Sequence, residues 1–255
     1  GWNLSLGRIV RSTKWGVPTY TDADSFVLEL PGSTSDLVET STNDRYRTRI
    51  EGAYLSIGFN ASGNYWVVID RTGTRFIFGQ TASGLTNSRM GKDVTQKSGT
   101  FAWLLERVED NFGNVIDYEY DDFDRRSKWR FPVATSGAGS SSTTDYEQYG
   151  YDSVGNRTSL RKRDGKTLTY SFDALNRVRS KVVPASATGV PGYSVWYGYD
   201  VQGLQTFARF SSTTGTGVTQ QYDGFGRLRS SSTNMDGTAR AVTSDYDAHG
   251  NRTRV

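Results

Sequence analysis

Apolar and polar residues alternate in short runs along this chain, and the runs are broken every few residues by Gly, Asn, Asp and Ser. Phe26-Val27-Leu28-Glu29-Leu30 ends at Pro31-Gly32, which predicts a strand closed by a tight turn. Trp66-Val67-Val68-Ile69-Asp70-Arg71-Thr72-Gly73-Thr74-Arg75-Phe76-Ile77-Phe78-Gly79 predicts a hairpin with Asp and Gly three apart. Phe59-Asn60-Ala61-Ser62-Gly63-Asn64 is a looser version of the same bend. Leu4-Ser5-Leu6 places two leucines on one face before Ile9-Val10 shifts the pattern, which predicts a bulge at Gly7. Phe101, Leu104, Leu105 and Val108 also fit one face of a helix, but Glu109-Asp110-Asn111-Phe112-Gly113-Asn114 follows at once. A strand entering that turn, with Ile116–Tyr120 returning, agrees better with the rest of the chain.

The second half makes the pattern periodic. An aromatic, an Asp, two variable residues, Gly or Asn, and then Arg, Asn or an apolar residue recur five times. The copies begin at Tyr151-Asp152 (with Gly155 and Arg157), Phe172-Asp173 (Asn176, Arg177), Tyr199-Asp200 (Gly203), Tyr222-Asp223 (Gly226, Arg227) and Tyr246-Asp247 (Gly250, Arg252). Successive Asp positions are separated by 21, 27, 23 and 24 residues, a repeat that sets the architecture. Asp favours the first place of a type I turn, where its carboxylate accepts N–H groups further on. Gly or Asn three residues later suits a left-handed backbone. Each copy therefore predicts one hairpin, and the spacing leaves room for two strands of ordinary length. Arg157, Arg177, Arg227 and Arg252 are read as recurring at one register, placed to neutralise turn carboxylates or to stack on rings.

This pattern resembles the YD-repeat, or RHS-repeat, family of large secreted and surface proteins, over roughly residues 145–255. That family includes bacterial polymorphic toxins, insecticidal toxin-complex components and the shell of animal teneurins. The run Gly1-Trp2-Asn3-Leu4…Ile9…Arg11…Gly16-Val17-Pro18…Tyr20…Asp22…Asp24-Ser25-Phe26 resembles the virulence-plasmid-toxin-like segment of toxin-complex B components. The resemblance implies an all-β fold: a long antiparallel sheet of consecutive hairpins, curled as part of a spiralling hollow β-shell. Two strands per repeat would advance such a sheet by about 10 Å, and wide twisted sheets curl or close. A β-propeller is the fold alternative, because paired repeats approach blade length. The expected organisation is an N-terminal β segment over 1–135, a loop over 136–144 within the Ser/Gly/Thr-rich stretch Ala134–Thr144, and YD repeats over 145–255. Residues 81–100, Pro184–Gly192 and Ser211–Gly217 read as further loops.

Composition narrows the function. Hydrophobic content is low at 35%, while 28 Gly and 13% aromatic residues favour an all-β chain over a helical one. Thirty Lys+Arg against 27 Asp+Glu leaves a charge of only +3 with no basic cluster, so nucleic acid is not an expected partner. Cys is absent, which excludes disulfides and Cys-based metal sites, and no apolar run is long enough for a membrane span. The opening has no signal-like region, and Arg254-Val255 falls in mid-repeat. The chain is thus expected to be a piece of a longer polypeptide.

Candidate chemistry is sparse. His249 is the only His and lies inside a turn copy, where a turn role outweighs a general base. Glu109-Asp110 and Asp121-Asp122-Phe123-Asp124 could supply paired carboxylates for glycoside hydrolysis, but adjacency does not set a cleft spacing. Asp245–Gly250 imitates the start of a calcium loop and is better explained by the repeat. Self-cleaving RHS proteins use Asp-Pro motifs, and this chain has no Asp-Pro pair. The expectation is therefore no catalytic residue, no cofactor, no metal and no enzyme.

The function implied by the resemblance is a structural fragment of a shell that sequesters a toxin domain for delivery. Its partners would be its own C-terminal cargo, the remainder of the shell, or other toxin-complex or secretion-system components. It would be exported from a bacterium as part of a larger secreted or surface protein. The alternative is an extracellular adhesion or carbohydrate-binding surface that uses exposed aromatics among Trp2, Trp15, Trp66, Trp103, Trp129 and Trp196.

Overall fold

The computed structural model describes residues 7–21, 23–50, 52, 54–80, 88–91, 97–186 and 189–254. Trp2, Leu4, Leu6, Asp22 and part of the loop expected over 81–100 lie outside them. Among the described residues the structure is strands and turns, with one 3-10 turn at Lys97–Gly99. The all-β antiparallel reading holds. The chain divides by contacts into two units, Gly1–Gln148 and Tyr149–Val255.

The first unit contains β1 (Arg8–Arg11), β2 (Phe26–Leu30), β3 (Ser33–Glu39), β4 (Arg45–Thr48), β5 (Ser56–Asn60), β6 (Tyr65–Ile69) and β7 (Arg75–Phe78). It continues with β8 (Arg89–Gly91), β9 (Thr100–Glu109), β10 (Val115–Tyr120), β11 (Arg126–Pro132) and most of β12 (Ser141–Tyr151). Each of β1 to β6 pairs antiparallel with the next, β7 pairs with both β6 and β9, and β9 pairs with β1. Eight strands thus close into a barrel, a number whose interior side chains can fill. β9 is long enough to serve two neighbours on each edge. The Leu104 amide and carbonyl meet Ser88 and Gly79 on one side, while the Leu105 amide meets Gly7 on the other. The barrel closes at β1, and the ladder runs on through β10, β11 and β12.

Alternation explains the barrel wall. In β4, Tyr46 and Thr48 are buried while Arg45 and Arg47 are exposed, and β5 and β6 bury every second residue. The interior is aromatic. Trp66 and Trp103 are fully buried with centroids 5.8 Å apart, and Phe26 and Tyr46 pack edge-on against Trp66, with Phe59 tilted beside it. The Trp103 indole N–H donates to the Asn64 carbonyl at 3.0 Å. Arg11 is buried and satisfied on several sides: it donates to the Thr100, Thr21 and Lys97 carbonyls and pairs with Asp24 at 2.8 Å. Ala102 through Glu106 are all buried, so β9 shows no clean period of two, which is why a helix also fitted its sequence.

Two loop expectations change. Within 81–100, β8, the 3-10 turn and the start of β9 are ordered by pairing with or leading into β9. The loop expected over 136–144 is shorter, because β12 starts at Ser141, where Pro132 pairs with it across a bulge. Serine and threonine do not prevent a strand when the partner edge is already present.

The second unit takes the end of β12 and then β13 (Arg157–Arg161), β14 (Thr167–Phe172), β15 (Val178–Val183), β16 (Tyr193–Tyr199), β17 (Gln205–Phe210), β18 (Gly217–Tyr222), β19 (Leu228–Thr233) and β20 (Arg240–Thr243). From β13 to β20 each strand pairs with the next, and β21 (Asp245–Tyr246) pairs with β22 (Arg252–Arg254) as a separate hairpin. Among the described residues of this unit only Tyr149, Ser180, Gly217 and Ser244 are buried. The main sheet is a single layer without a core of its own.

Its two faces differ. The register Leu160↔Leu168, Tyr170↔Lys181↔Val195↔Phe210 and Tyr197↔Ala208↔Val218 collects aromatic and aliphatic residues on one side. The other side carries Ser171↔Ser180↔Trp196↔Arg209 and Phe207↔Thr219↔Ser232, which is mostly hydroxyl and charge.

Candidate functional site

The repeated turns are the most regular chemistry in the molecule. In the Asp223 copy, Oδ1 accepts the N–H groups of Phe225 and Arg227 at 2.9 Å each, and Oδ2 accepts Arg227 Nε at 2.6 Å. The backbone closes the loop, with Gly226 N donating to the Asp223 carbonyl and Asp223 N to the Arg227 carbonyl, both at 3.0 Å. Gly226 has φ of 77°, the left-handed backbone the sequence called for. Asp152, Asp173, Asp200 and Asp247 accept the same pair of N–H groups, two and four residues on. Gly155, Gly203 and Gly250 have positive φ as well, and Asn176 takes the place of Gly at 60°. A register shift falls at the aromatic before the Asp in the Phe172, Tyr199, Tyr222 and Tyr246 copies, so each turn carries a bulge on its return strand.

The fourth residue after the Asp decides how the second carboxylate oxygen is held. Arg177 and Arg227 reach it with Nε, whereas Asn156 and Asn251 reach it with Nδ2. Arg157 and Arg252 lie one position further along, so the four arginines do not share one register. Arg157 instead lies 5.8 Å from the Tyr149 ring, and Arg252 is exposed. The carboxylates of Asp152, Asp173, Asp223 and Asp247 sit below their ordinary range. At Asp152 and Asp247 the side-chain amide of the following Asn is the main cause, and at Asp173 it is the Arg177 backbone N–H. At Asp223 desolvation pushes upward, but the Arg227 N–H and guanidinium together outweigh it.

A second relation links one copy to the next. The hydroxyl of Tyr199 donates to the Val178 carbonyl at 2.9 Å, Tyr222 to Gln205 at 3.0 Å, and Tyr246 to Leu228 at 2.9 Å. In each case the acceptor lies five residues after the Asp of the preceding copy. Arg177 stacks over Tyr199 at 4.6 Å and Arg227 over Tyr246 at 4.5 Å. The aromatic of the motif is therefore a tie between hairpins. Tyr151 is half-buried at the end of β12.

Sequence reasoning missed one full copy. Tyr120-Asp121-Asp122-Phe123-Asp124-Arg125 makes the same turn, with Asp121 Oδ1 accepting Phe123 and Arg125 N–H at 3.0 Å and Arg125 Nε on Oδ2 at 2.8 Å. Asp124 stands at the left-handed position, φ 58°, in place of Gly or Asn, which hid the motif. The acidic run read as possible paired carboxylates is thus a turn, and Asp110 is another, holding Phe112 and Asn114 N–H at 2.9 Å. Lys162–Lys166 repeats the backbone pattern without a leading Asp, and its Asp164-Gly165 pair was the available signal.

The remaining candidates are placed as follows. His249 is exposed, and its N–H donates to Asp247 Oδ1. Trp66 and Trp103 are buried, Trp129 and Trp196 half-buried, and Trp15 is 87% exposed. Among the described residues no group of three or more His, Cys, Asp or Glu is arranged to hold a metal, and no helix is long and apolar enough to cross a membrane.

Comparison with known proteins adds a family. The model of a family described as Salmonella virulence plasmid 65kDa B protein matches residues 1–146, and the RHS repeat model matches residues 151–188. Mono(ADP-ribosyl)transferase SpvB of Salmonella choleraesuis (strain SC-B67) is 28% identical over 144 residues, 47% of this chain and 24% of that protein. The N-terminal domain of effector protein SpvB from Salmonella typhimurium strain LT2 is similar at 18% identity and TM-score 0.42, covering 96% of this chain and 89% of that one. The TcdB2-TccC3 crystal structure is similar at 17% identity and TM-score 0.46, covering 87% of this chain and 14% of that one. The expectation of a non-enzyme is corrected here: the curated relatives are named as transferases, and the chain spans about a quarter of their length.

Proposed function

The chain belongs to the Salmonella virulence plasmid 65kDa B protein family and carries an RHS repeat beside that match, and from this premise we propose that it is one stretch of a β-walled shell around a toxin domain. The observation that carries the reading is the single-layer sheet of residues 157–243. An open sheet with Tyr170, Val195, Tyr197 and Phe210 on one side, and hydroxyl and charged residues with Trp196 and Phe207 on the other, has no core to fold around. Such a sheet is a wall, whose apolar side is covered by other parts of the full protein.

The mechanism is exclusion. Enclosed cargo meets neither proteases nor its target until the wall opens. The name of the curated relatives offers a cargo class, a mono(ADP-ribosyl)transferase. Export from a bacterium within a longer polypeptide, together with other toxin-complex components, completes the proposal.

Limited proteolysis of the full-length protein tests it. Placing Glu at Tyr170 and Tyr197 together would charge the covered face, and the cargo domain should then be digested at protease levels that leave the parent intact. Equal digestion of parent and variant, with the variant still folded, would overturn the containment reading.

A further inference from the structure

The side chain of Lys97 ends among three aromatic rings. Its Nζ lies 4.7 Å from the Phe59 ring centroid, 5.4 Å from Phe26 and 5.7 Å from Tyr46, each within reach of a cation–π contact. Phe26 opens β2, Tyr46 is the second residue of β4 and Phe59 the fourth of β5. Neighbouring strands run in opposite directions, so the three stand at one end of the barrel. All three rings are buried, and Trp66 braces them with centroids 4.8 to 5.1 Å away. Asp44 adds a carboxylate at the edge, its Oδ1 3.7 Å from the ammonium. Three rings and a carboxylate around a cation form an aromatic cage, an arrangement that suits quaternary ammonium groups.

Lys97 itself suits this cage poorly. A primary ammonium carries three N–H donors and a tight hydration shell. Among the described residues it donates one hydrogen bond, to the Tyr46 hydroxyl at 3.2 Å, and Asp44 is too distant for a second. The cage presents rings where that head group wants acceptors. A methylated ammonium has fewer donors and more apolar surface to lay on them. Lys97 can also leave without moving its backbone. Its carbonyl is held by Arg11 Nη2 at 2.6 Å, and Arg11 is buried and paired with Asp24. The Lys97 side chain is 21% exposed, which gives the head group a path to water.

We propose that this mouth of the barrel is a binding site for a methylated ammonium group, carried by a methyl-lysine side chain or a free quaternary amine. Lys97 is its resident occupant, and an incoming cation binds by displacing it. The site lies within the first unit and does not rest on the containment reading.

The test titrates the whole chain with choline, with a trimethyllysine peptide and with the uncharged carbon isostere of choline, followed by tryptophan fluorescence and melting temperature. Lys97→Ala vacates the cage and should bind at least one of the two cations about tenfold more tightly than the parent does. The uncharged isostere should bind neither protein. Peptide binding without choline binding would assign the group to a protein side chain, and the reverse to a small amine; either supports the site. A measurement on the parent does not depend on the variant folding. With isotope-labelled lysine, the Lys97 ε-methylene NMR signal, identified by its absence from Lys97→Arg, should lie upfield under the rings. A saturating cation should move it to the solvent position. The proposal is overturned if folded Lys97→Ala binds no better than the parent, if the uncharged isostere binds as well as the cations, or if neither cation moves the Lys97 signal.

Discussion

The Arg227 guanidinium stacks 4.5 Å from the Tyr246 ring centroid while its Nε holds Asp223 Oδ2 at 2.6 Å. One side chain thus closes its own turn and grips the aromatic of the next. The same pair of contacts joins Arg177 to Asp173 and to Tyr199. Coupling of this kind makes stability a sum of hairpins and of ties between neighbours.

The ties can be removed or added one hydroxyl at a time. Tyr199→Phe deletes the hydrogen bond to the Val178 carbonyl and should cost about 0.5–1.5 kcal/mol in denaturant unfolding. Phe172 is the one aromatic of the series without a hydroxyl, and the position five residues after the preceding Asp152 is Arg157. Phe172→Tyr should gain about 0.5–1 kcal/mol by the same bond. A loss on Phe172→Tyr would mean that the spacing between copies does not repeat.

Backbone handedness gives a sharper comparison. A Cβ on Gly226 would meet Leu204 Cδ1 at 3.4 Å, an ordinary contact, so only its φ of 77° resists substitution. Gly226→Ala should cost about 1–2 kcal/mol. Gly226→Asn should cost less, because Asn176 already adopts this backbone in the Asp173 copy. Equal costs measured by thermal unfolding would contradict the turn assignment.

Acid should loosen the repeats. The carboxylates of Asp152, Asp173, Asp223 and Asp247 lie below their ordinary range in the fold and return to about 3.9 on unfolding. Their contribution is complete above that unfolded value and is lost as pH falls through the lower folded values. The melting temperature should therefore drop as pH falls below about 4, with Asp223→Asn lower at neutral pH and less acid-sensitive. A flat profile would separate the turns from stability.

The barrel answers to packing alone. Trp103 is fully buried against Trp66, Phe26 and Phe59, and Trp103→Ala should cost about 3–5 kcal/mol. A near-neutral result would mean the interior is not the core of the first unit.

Most of the hairpins were legible because Asp at the first turn position and Gly at the fourth are each dictated by backbone geometry. Asp121–Arg125 escaped because Asp124 occupies a left-handed position that Asp fills at some cost. The roles of the tyrosines and arginines were half legible: the aromatic repeats visibly, but its acceptor lies in another hairpin and depends on strand stagger. The one-register reading of Arg157 and Arg252 failed on a single inserted Asn in each copy, Asn156 and Asn251. Barrel closure was not readable at all, since it rests on β9 pairing with β1 across some ninety residues.

Hydroxyl-radical footprinting of the full-length protein is the most direct test of the wall. Tyr170 and Tyr197 lie on the apolar face, Trp196 and Phe207 on the other, and all four react readily when wet. The account predicts strong protection of the two tyrosines with labelling of Trp196 and Phe207. Equal labelling of both faces would contradict it.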